Sequence, residues 1–201
     1  MTPLKSVRSL AIPLIVDNID TDIIIPSREM KSVSKTGLSE GLFAGWRYTA
    51  VGGREINPDF VLNQPKYQGA EILLAGDNMG CGSSREHAAW ALAEYGIRVI
   101  IARSFNPIFR GNCIRNGILP VKLSPEPIAE VDGEITVDLE AMTITTNACA
   151  SWAFDLETEA REMLLEGLDP IDLTLKRAAD IAAFREADRK LRPWIYNLKA
   201  V

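Results

Sequence analysis

The residues from Gly76 to Leu92, GDNMGCGSSREHAAWAL, put glycines, hydroxyls and a guanidinium into one short span. Gly80 and Gly82 let the backbone approach a ligand closely, because neither has a Cβ. Ser83 and Glu86 have the Ser-x-x-Glu spacing of a capping box, which marks a helix start. A helix start exposes N–H groups and the positive end of the helix dipole, and both favour an anion. Arg85 adds a fixed charge and a fork that matches a carboxylate. The spacing is neither Gly-x-x-x-x-Gly-Lys-Ser/Thr nor Gly-x-Gly-x-x-Gly, and no lysine follows the glycines. Nucleotide phosphate is therefore disfavoured, and a small carboxylate fits better. A strand, a glycine-rich turn and a capped helix also occur where nothing binds, so these residues alone leave a ligand site and a plain turn about level.

His87 is the only histidine, which removes every scheme that needs two. Cys81, Cys113 and Cys149 are widely spaced and form no Cys-x-x-Cys pair. A complete zinc or iron–sulfur site from this chain alone is not expected, so no metal ligand is assigned here. The cysteines read as small apolar residues, and their low, odd count points to a reducing, cytoplasmic setting.

The elements that must position this span are legible around it. Glu71–Gly76, Arg98–Ala102 and Ile118–Leu123 read as strands, apolar without alternation, as strands covered on both faces should be. A helix is expected from Ser84 to Tyr95, stopped by Gly96, and another opens at Pro107 and stops at Gly117. Strand, helix, strand, helix, strand means parallel strands with right-handed crossovers. Glu134–Thr146 alternates with period 2 and reads as a hairpin. Ser27–Asn63 reads as a loop-rich excursion with one short helix. Helices are expected over Glu157–Gly167 and Leu175–Leu191, the second with Leu175, Ala178, Ala179, Ala182 and Leu191 near one face.

The whole-chain numbers bound the function. The 201 residues hold 22 basic and 27 acidic side chains, a net −5, without a basic run, so nucleic acid is not an expected partner. No apolar stretch approaches the roughly 20 residues of a membrane span. Leu10–Val16 is apolar, but Pro13 interrupts it and no small-residue cleavage site follows, so it is not read as a signal peptide.

Four segments together resemble a known family. Gly80–Ala88 (GCGSSREHA) resembles the signature of the aconitase swivelling domain, and Asn18–Pro26 (NIDTDIIIP) its N-terminal motif. Ser104–Pro120 (SFNPIFRGNCIRNGILP) resembles its third motif, and Gly167–Leu175 the C-terminal part of one branch. A separate chain of this length is similar to the small subunits of 3-isopropylmalate dehydratases. The resemblance implies an α/β swivelling domain over 1–155, with a mostly parallel, barrel-like core and flanking helices. It leaves 156–201 as a C-terminal helical extension packed on that domain. It implies a hydro-lyase that interconverts 2-isopropylmalate and 3-isopropylmalate by dehydration and rehydration, in leucine biosynthesis. A large-subunit partner would hold a [4Fe–4S] cluster whose open iron acts as a Lewis acid on the hydroxyl.

Roles follow from the same resemblance. Ser83 matches the serine that takes and returns the carbon-bound proton as an alkoxide, which needs donors around its oxygen. Ser84 and Arg85 match residues that contact a substrate carboxylate. Asp22, with Thr21, matches an active-site acidic position, although its side chain could instead cap a turn; Asp20 is assigned to the turn. His87 reads as a supporting hydrogen bonder, and Asn106, Asn112 and Asn116 as caps. Two departures bear on specificity. Arg110 stands where an aromatic is expected, and Ser27–Lys31 replaces a more aromatic run in the loop that chooses the substrate side chain. Met30, Val33 or Leu38 would wall an isopropyl group, whereas Arg28 and Lys31 would grip an extra carboxylate. Three functions stay open: isopropylmalate isomerisation, the same chemistry on citraconate with methylmalate or on homoaconitate, and a non-catalytic anion-binding assembly domain.

Overall fold

The computed structural model describes residues 1–30, 34–83 and 85–196. Lys31, Val33 and Ser84 lie outside the described residues. The chain opens with two short strands that join different sheets, β1 (Ser6–Ser9) and β2 (Ala11–Pro13). Two one-turn helices follow, α1 (Thr21–Ile24) and α2 (Ala44–Arg47). Then come β3 (Ile72–Ala75), α3 (Glu86–Tyr95), β4 (Val99–Ala102), α4 (Pro107–Arg115) and β5 (Leu119–Lys122). The helix α5 (Glu126–Ala129) leads to β6 (Ile135–Asp138), β7 (Thr143–Thr146) and β8 (Ser151–Ala153). Four helices close the described chain: α6 (Thr158–Glu166), α7 (Pro170–Leu175), α8 (Ala178–Leu191) and α9 (Pro193–Tyr196).

One sheet is parallel, in the order β2-β3-β4-β5, with Leu73 opposite Ile100 and Ile100 opposite Pro120. The second is antiparallel, in the order β1-β6-β7-β8. All residues of β3 and β4 are buried, because both faces of the parallel sheet are covered. Ile72, Leu74, Val99 and Ile101 face a core shared with Val7, Val137 and Ile144 of the antiparallel sheet. Leu73, Ala75, Ile100 and Ala102 face the other core, with Ile24, Phe43, Ala88 and Leu92. The expected strands and crossover helices are therefore present, and the hairpin is one pair of a four-stranded antiparallel sheet.

Two local expectations need correction. Helix α3 begins at Glu86, not Ser84, with Arg85 at its N-cap and no side-chain cap. A box on Ser83 is thus out of register, and the Glu86 carboxylate accepts from Asn116 Nδ2 at 2.8 Å instead. That hydrogen bond holds the Glu86 carboxyl below the usual carboxylate range. The helix expected over Leu175–Leu191 breaks between α7 and α8, and its apolar stripe does not face a core: Leu175 is 59% and Leu191 75% exposed. The one buried residue of α8 is Asp188, which accepts from Arg192 Nε at 2.6 Å and Tyr196 Oη at 2.8 Å. The extension differs along its length, since Ala160, Met163 and Leu164 of α6 enter the second core while α8 stays exposed.

Candidate active site

Each of the three N-terminal motifs follows one parallel strand, so all three leave the same edge of the sheet. Residues 14–20 follow β2, 76–85 follow β3, and 103–106 follow β4. In open α/β sheets this C-terminal edge is where ligands bind. The β3 loop runs between the other two. On one side Gly80 N–H donates to Ile19 O at 2.7 Å and Thr21 N–H to Cys81 O at 3.0 Å. On the other, Met79 N–H donates to Ser104 O and Asn106 N–H to Met79 O, both at 3.0 Å. Gly80 has φ +76°, and a Cβ there would run into the Phe109 ring. Glycine is what lets the loop lie flat on α4.

Each flanking element is built locally for its place. The Asp20 side chain caps α1 by accepting from Ile23 N–H at 2.7 Å. Extended Ile25, forced by Pro26, ends that helix after one turn. Asn106 caps α4 by accepting from Ile108 and Phe109 N–H, with Pro107 at the first position, where a missing donor costs nothing. The assignments of Asp20 and Asn106 to turn and cap are borne out.

The chemistry-bearing side chains meet where α1 faces the start of α3. Thr21 is buried, and its Oγ1 donates to Ser83 O at 2.7 Å. Arg85 forms an ion pair with Asp22 across 63 residues of sequence. The Arg85 side chain is 30% and that of Asp22 51% exposed, so the pair sits on an open surface. Ser83 is exposed, and among the described residues its hydroxyl has no hydrogen-bond partner. The N–H groups of Glu86 and His87 are likewise unpaired among the described residues. A hydroxyl, a guanidinium and an uncapped helix N-terminus thus lie within four successive positions, an arrangement that can hold a carboxylate beside a proton-transferring group.

The chain matches the model of the aconitase C-terminal domain over residues 1–126. It is 56% identical to the 3-isopropylmalate dehydratase small subunit of Cupriavidus necator, covering 98% of this chain and 99% of that one. It is 46% identical to the small subunit from Brucella anthropi, over 96% of this chain and all of that one. The chain belongs to the 3-isopropylmalate dehydratase small-subunit family. Its fold also matches a crystal structure of 3-isopropylmalate dehydratase from Methanocaldococcus jannaschii, with a TM-score of 0.67, 27% identity, and coverage of 89% of this chain and 98% of that one.

Against that family pattern, Ser83, Arg85, Asp22 and Thr21 come together, whereas no hydrogen bond or ion pair joins Arg28 or Met30 to them among the described residues. Arg28 is exposed and pairs with its neighbour Glu29, Nε to Oε1 at 3.5 Å. Met30 is half-buried against the first core. Leu38, expected as a specificity wall, is 1% exposed and locked in that core, so it offers no surface to a ligand. Arg110 pairs with Glu157 at 2.6 Å. It lines a groove of about 1070 Å³ between α4, α6, α7 and α8. His87 lies half-buried with its ring 4.6 Å from that of Trp90.

Two further ties hold the loops together. Asn18 and Asn78 both take positive φ, and Asn78 Nδ2 donates to Asn18 Oδ1 at 2.9 Å, tying the first two loops. Arg103 ties the third loop in, reaching Asp17 at 2.8 Å and Asp77 at 3.5 Å. An asparagine in a turn is the one signal that was available, since it tolerates the left-handed region.

The three cysteines do not converge. Cys113 is buried, and burial pushes its thiol far above the usual range; Cys81 is half-buried in the glycine loop and Cys149 is exposed at the end of the hairpin. Among the described residues no three His, Cys, Asp or Glu side chains are placed to hold a metal ion. Among the same residues no helix is long and apolar enough to cross a membrane.

Proposed function

We propose that this chain is the small subunit of a cytoplasmic two-subunit hydro-lyase that interconverts 2-isopropylmalate and 3-isopropylmalate by dehydration and rehydration, in leucine biosynthesis. The observation that carries the reading is the grouping of exposed Ser83, the Arg85–Asp22 pair and the uncapped start of α3. An exposed half-site suits a reaction completed by a second protein. The partner is the large subunit, and the [4Fe–4S] cluster belongs there, because the cysteines of this chain are scattered.

On this side of the interface Arg85 binds a carboxylate of the small dicarboxylate substrate, with Ser84 beside it. Asp22 holds the guanidinium in place from behind, and Thr21 fixes the main chain at Ser83 through its carbonyl. Ser83 Oγ, as the alkoxide, takes the proton from one carbon as the hydroxyl leaves the neighbouring carbon, and on rehydration returns a proton to that neighbouring carbon while the hydroxyl adds to the first. The N–H groups of Glu86 and His87, with Arg85, are the donors available to a developing alkoxide. Arg28 and Met30 select the substrate side chain from the segment after α1. Exposed Arg28 keeps homoaconitate, with its third carboxylate, in the test.

The test is to purify the chain alone and with its large subunit and assay both on isopropylmalate, methylmalate and homoaconitate. The lone chain is expected to fold, since 201 residues bury two cores, and to be colourless, iron-free and inactive. The pair is expected to turn over isopropylmalate fastest. Stoichiometric iron and sulfide on the lone chain would overturn the assignment of the cluster, and a pair faster on another diacid would overturn the substrate.

Arg85→Lys checks the binding role. An ammonium cannot hold Asp22 and a substrate carboxylate in one planar fork. KM is expected to rise by about 10- to 150-fold, the loss of one charge-assisted hydrogen bond of about 1.5–3 kcal/mol. An unchanged KM in the assembled enzyme would remove Arg85 from the substrate.

A further inference from the structure

Glu94 sits in the last turn of α3, the end of a helix at which a negative charge is unfavourable. Its carboxylate is nevertheless saturated with donors. Oε1 accepts from Gly37 N–H at 2.5 Å, and Oε2 from Leu38 and Ser39 N–H at 2.5 and 2.8 Å. Three successive backbone N–H groups aimed at one side chain form a built anchor, in which a carboxylate serves better than any neutral group. The anchored segment is the start of the 3-10 turn Ser39–Gly41. The first residue of that turn is held by opposite charge as well, since Arg47 Nη1 donates to Ser39 O at 2.8 Å.

This turn leads back to the site. A Cβ on Gly41 would lie 2.6 Å from Glu29 Cβ and 3.4 Å from Ile25 Cδ1, so the backbone there packs directly on the segment leaving α1. Two residues on, Phe43 N–H donates to Ile24 O at 2.7 Å. Ile24 and Ile25 in turn bond back to Asp20 and Thr21 within α1. Glu94 therefore connects, through one turn, the helix that begins beside Arg85 to the helix that carries Asp22.

We propose that Glu94 is a positioning residue for the substrate site: it fixes Gly37–Ser39, and through that turn the placement of Asp22 against Arg85. The proposal rests on the reading that these residues meet substrate. In the assembled two-subunit enzyme, Glu94→Gln keeps the size but turns an NH2 group toward backbone N–H donors. KM is expected to rise about tenfold, the size of one charge-assisted hydrogen bond, with kcat within about twofold. Glu94→Asp keeps the charge and should fall between wild type and Gln. Hydrogen exchange at Gly37, Leu38 and Ser39 should quicken about tenfold or more in Gln, while the amides of β3 and β4 keep their protection. An unchanged KM overturns the proposal, whether kcat is normal or falls only in step with lost folded protein. Unchanged exchange at the three amides overturns it as well. Inactivity of the wild-type pair on every diacid takes down the functional reading instead, and is seen before any variant is compared.

Discussion

Ser83→Ala should cut turnover of the assembled enzyme by about 10²- to 10⁴-fold, the usual worth of a positioned proton-transfer group. KM should move little, because the lost interaction is made only in the transition state. A serine hydroxyl is a poor base in water, so the effect depends on its surroundings. Its main chain is fixed from two sides, the carbonyl accepting from Thr21 Oγ1 and from Arg85 N–H, both at 2.7 Å. The hydroxyl is exposed, and its residue lies two positions before Arg85, the N-cap of α3. The rival role for this residue is a helix cap, whose loss typically costs about 1 kcal/mol of stability. The N-cap is Arg85, with no side-chain capping bond to the helix, so Ser83→Ala should leave the thermal midpoint within about a degree or two. A variant with near-normal kcat and a lowered midpoint would make Ser83 a structural residue.

The parts of the fold that sequence made legible are those where one physical signal dominates. Val99–Ala102 is apolar at every position because both sides of its sheet are covered, and no helix or turn residue competes. Gly96 and Gly117 end α3 and α4 as expected, with φ +111° and +76°. Strands such as Ser6–Ser9 and Ser151–Ala153 carry too few apolar residues to announce themselves, and only the partner strands make them strands. The start of α3 was misplaced because Ser-x-x-Glu is also what remains when Glu86 is drawn away to Asn116, thirty residues on. The site shows the same division. The glycine loop and Arg85 are readable because their chemistry lies in one span. The Asp22 pair and the Glu94 anchor join segments 63 and 55–57 residues apart, and only the order of the parallel strands brings them together.

Gly80→Ala should be the most damaging single methyl group in the chain. Two independent costs fall on one atom. The backbone there has φ +76°, a region that costs a residue with a Cβ roughly 1–2 kcal/mol. The added carbon would also run into the ring of Phe109, which is 2% exposed and held by the first turn of α4 under its Asn106 cap. Overpacking of that kind costs about 1–3 kcal/mol. Together they give roughly 2–5 kcal/mol, a large share of the 5–15 kcal/mol by which domains are stable. The loop can escape only by lifting from α4, which would break the bond from Gly80 N–H to Ile19 O and move Ser83. A displacement of about 1 Å is enough to lose 10²-fold in rate, so activity should fall by at least that much even in the molecules that stay folded. Gly45→Ala is the control, since nothing lies within 4 Å of its missing Cβ and its φ is ordinary; its stability should change by less than about 1 kcal/mol. Shrinking the obstacle with Phe109→Leu in the Gly80→Ala background should recover part of the loss, because the clash is relieved while the backbone strain remains. If Gly80→Ala alone kept wild-type stability and rate, the loop could not be seated on Phe109, and the placement of Ser83 argued from it would fall.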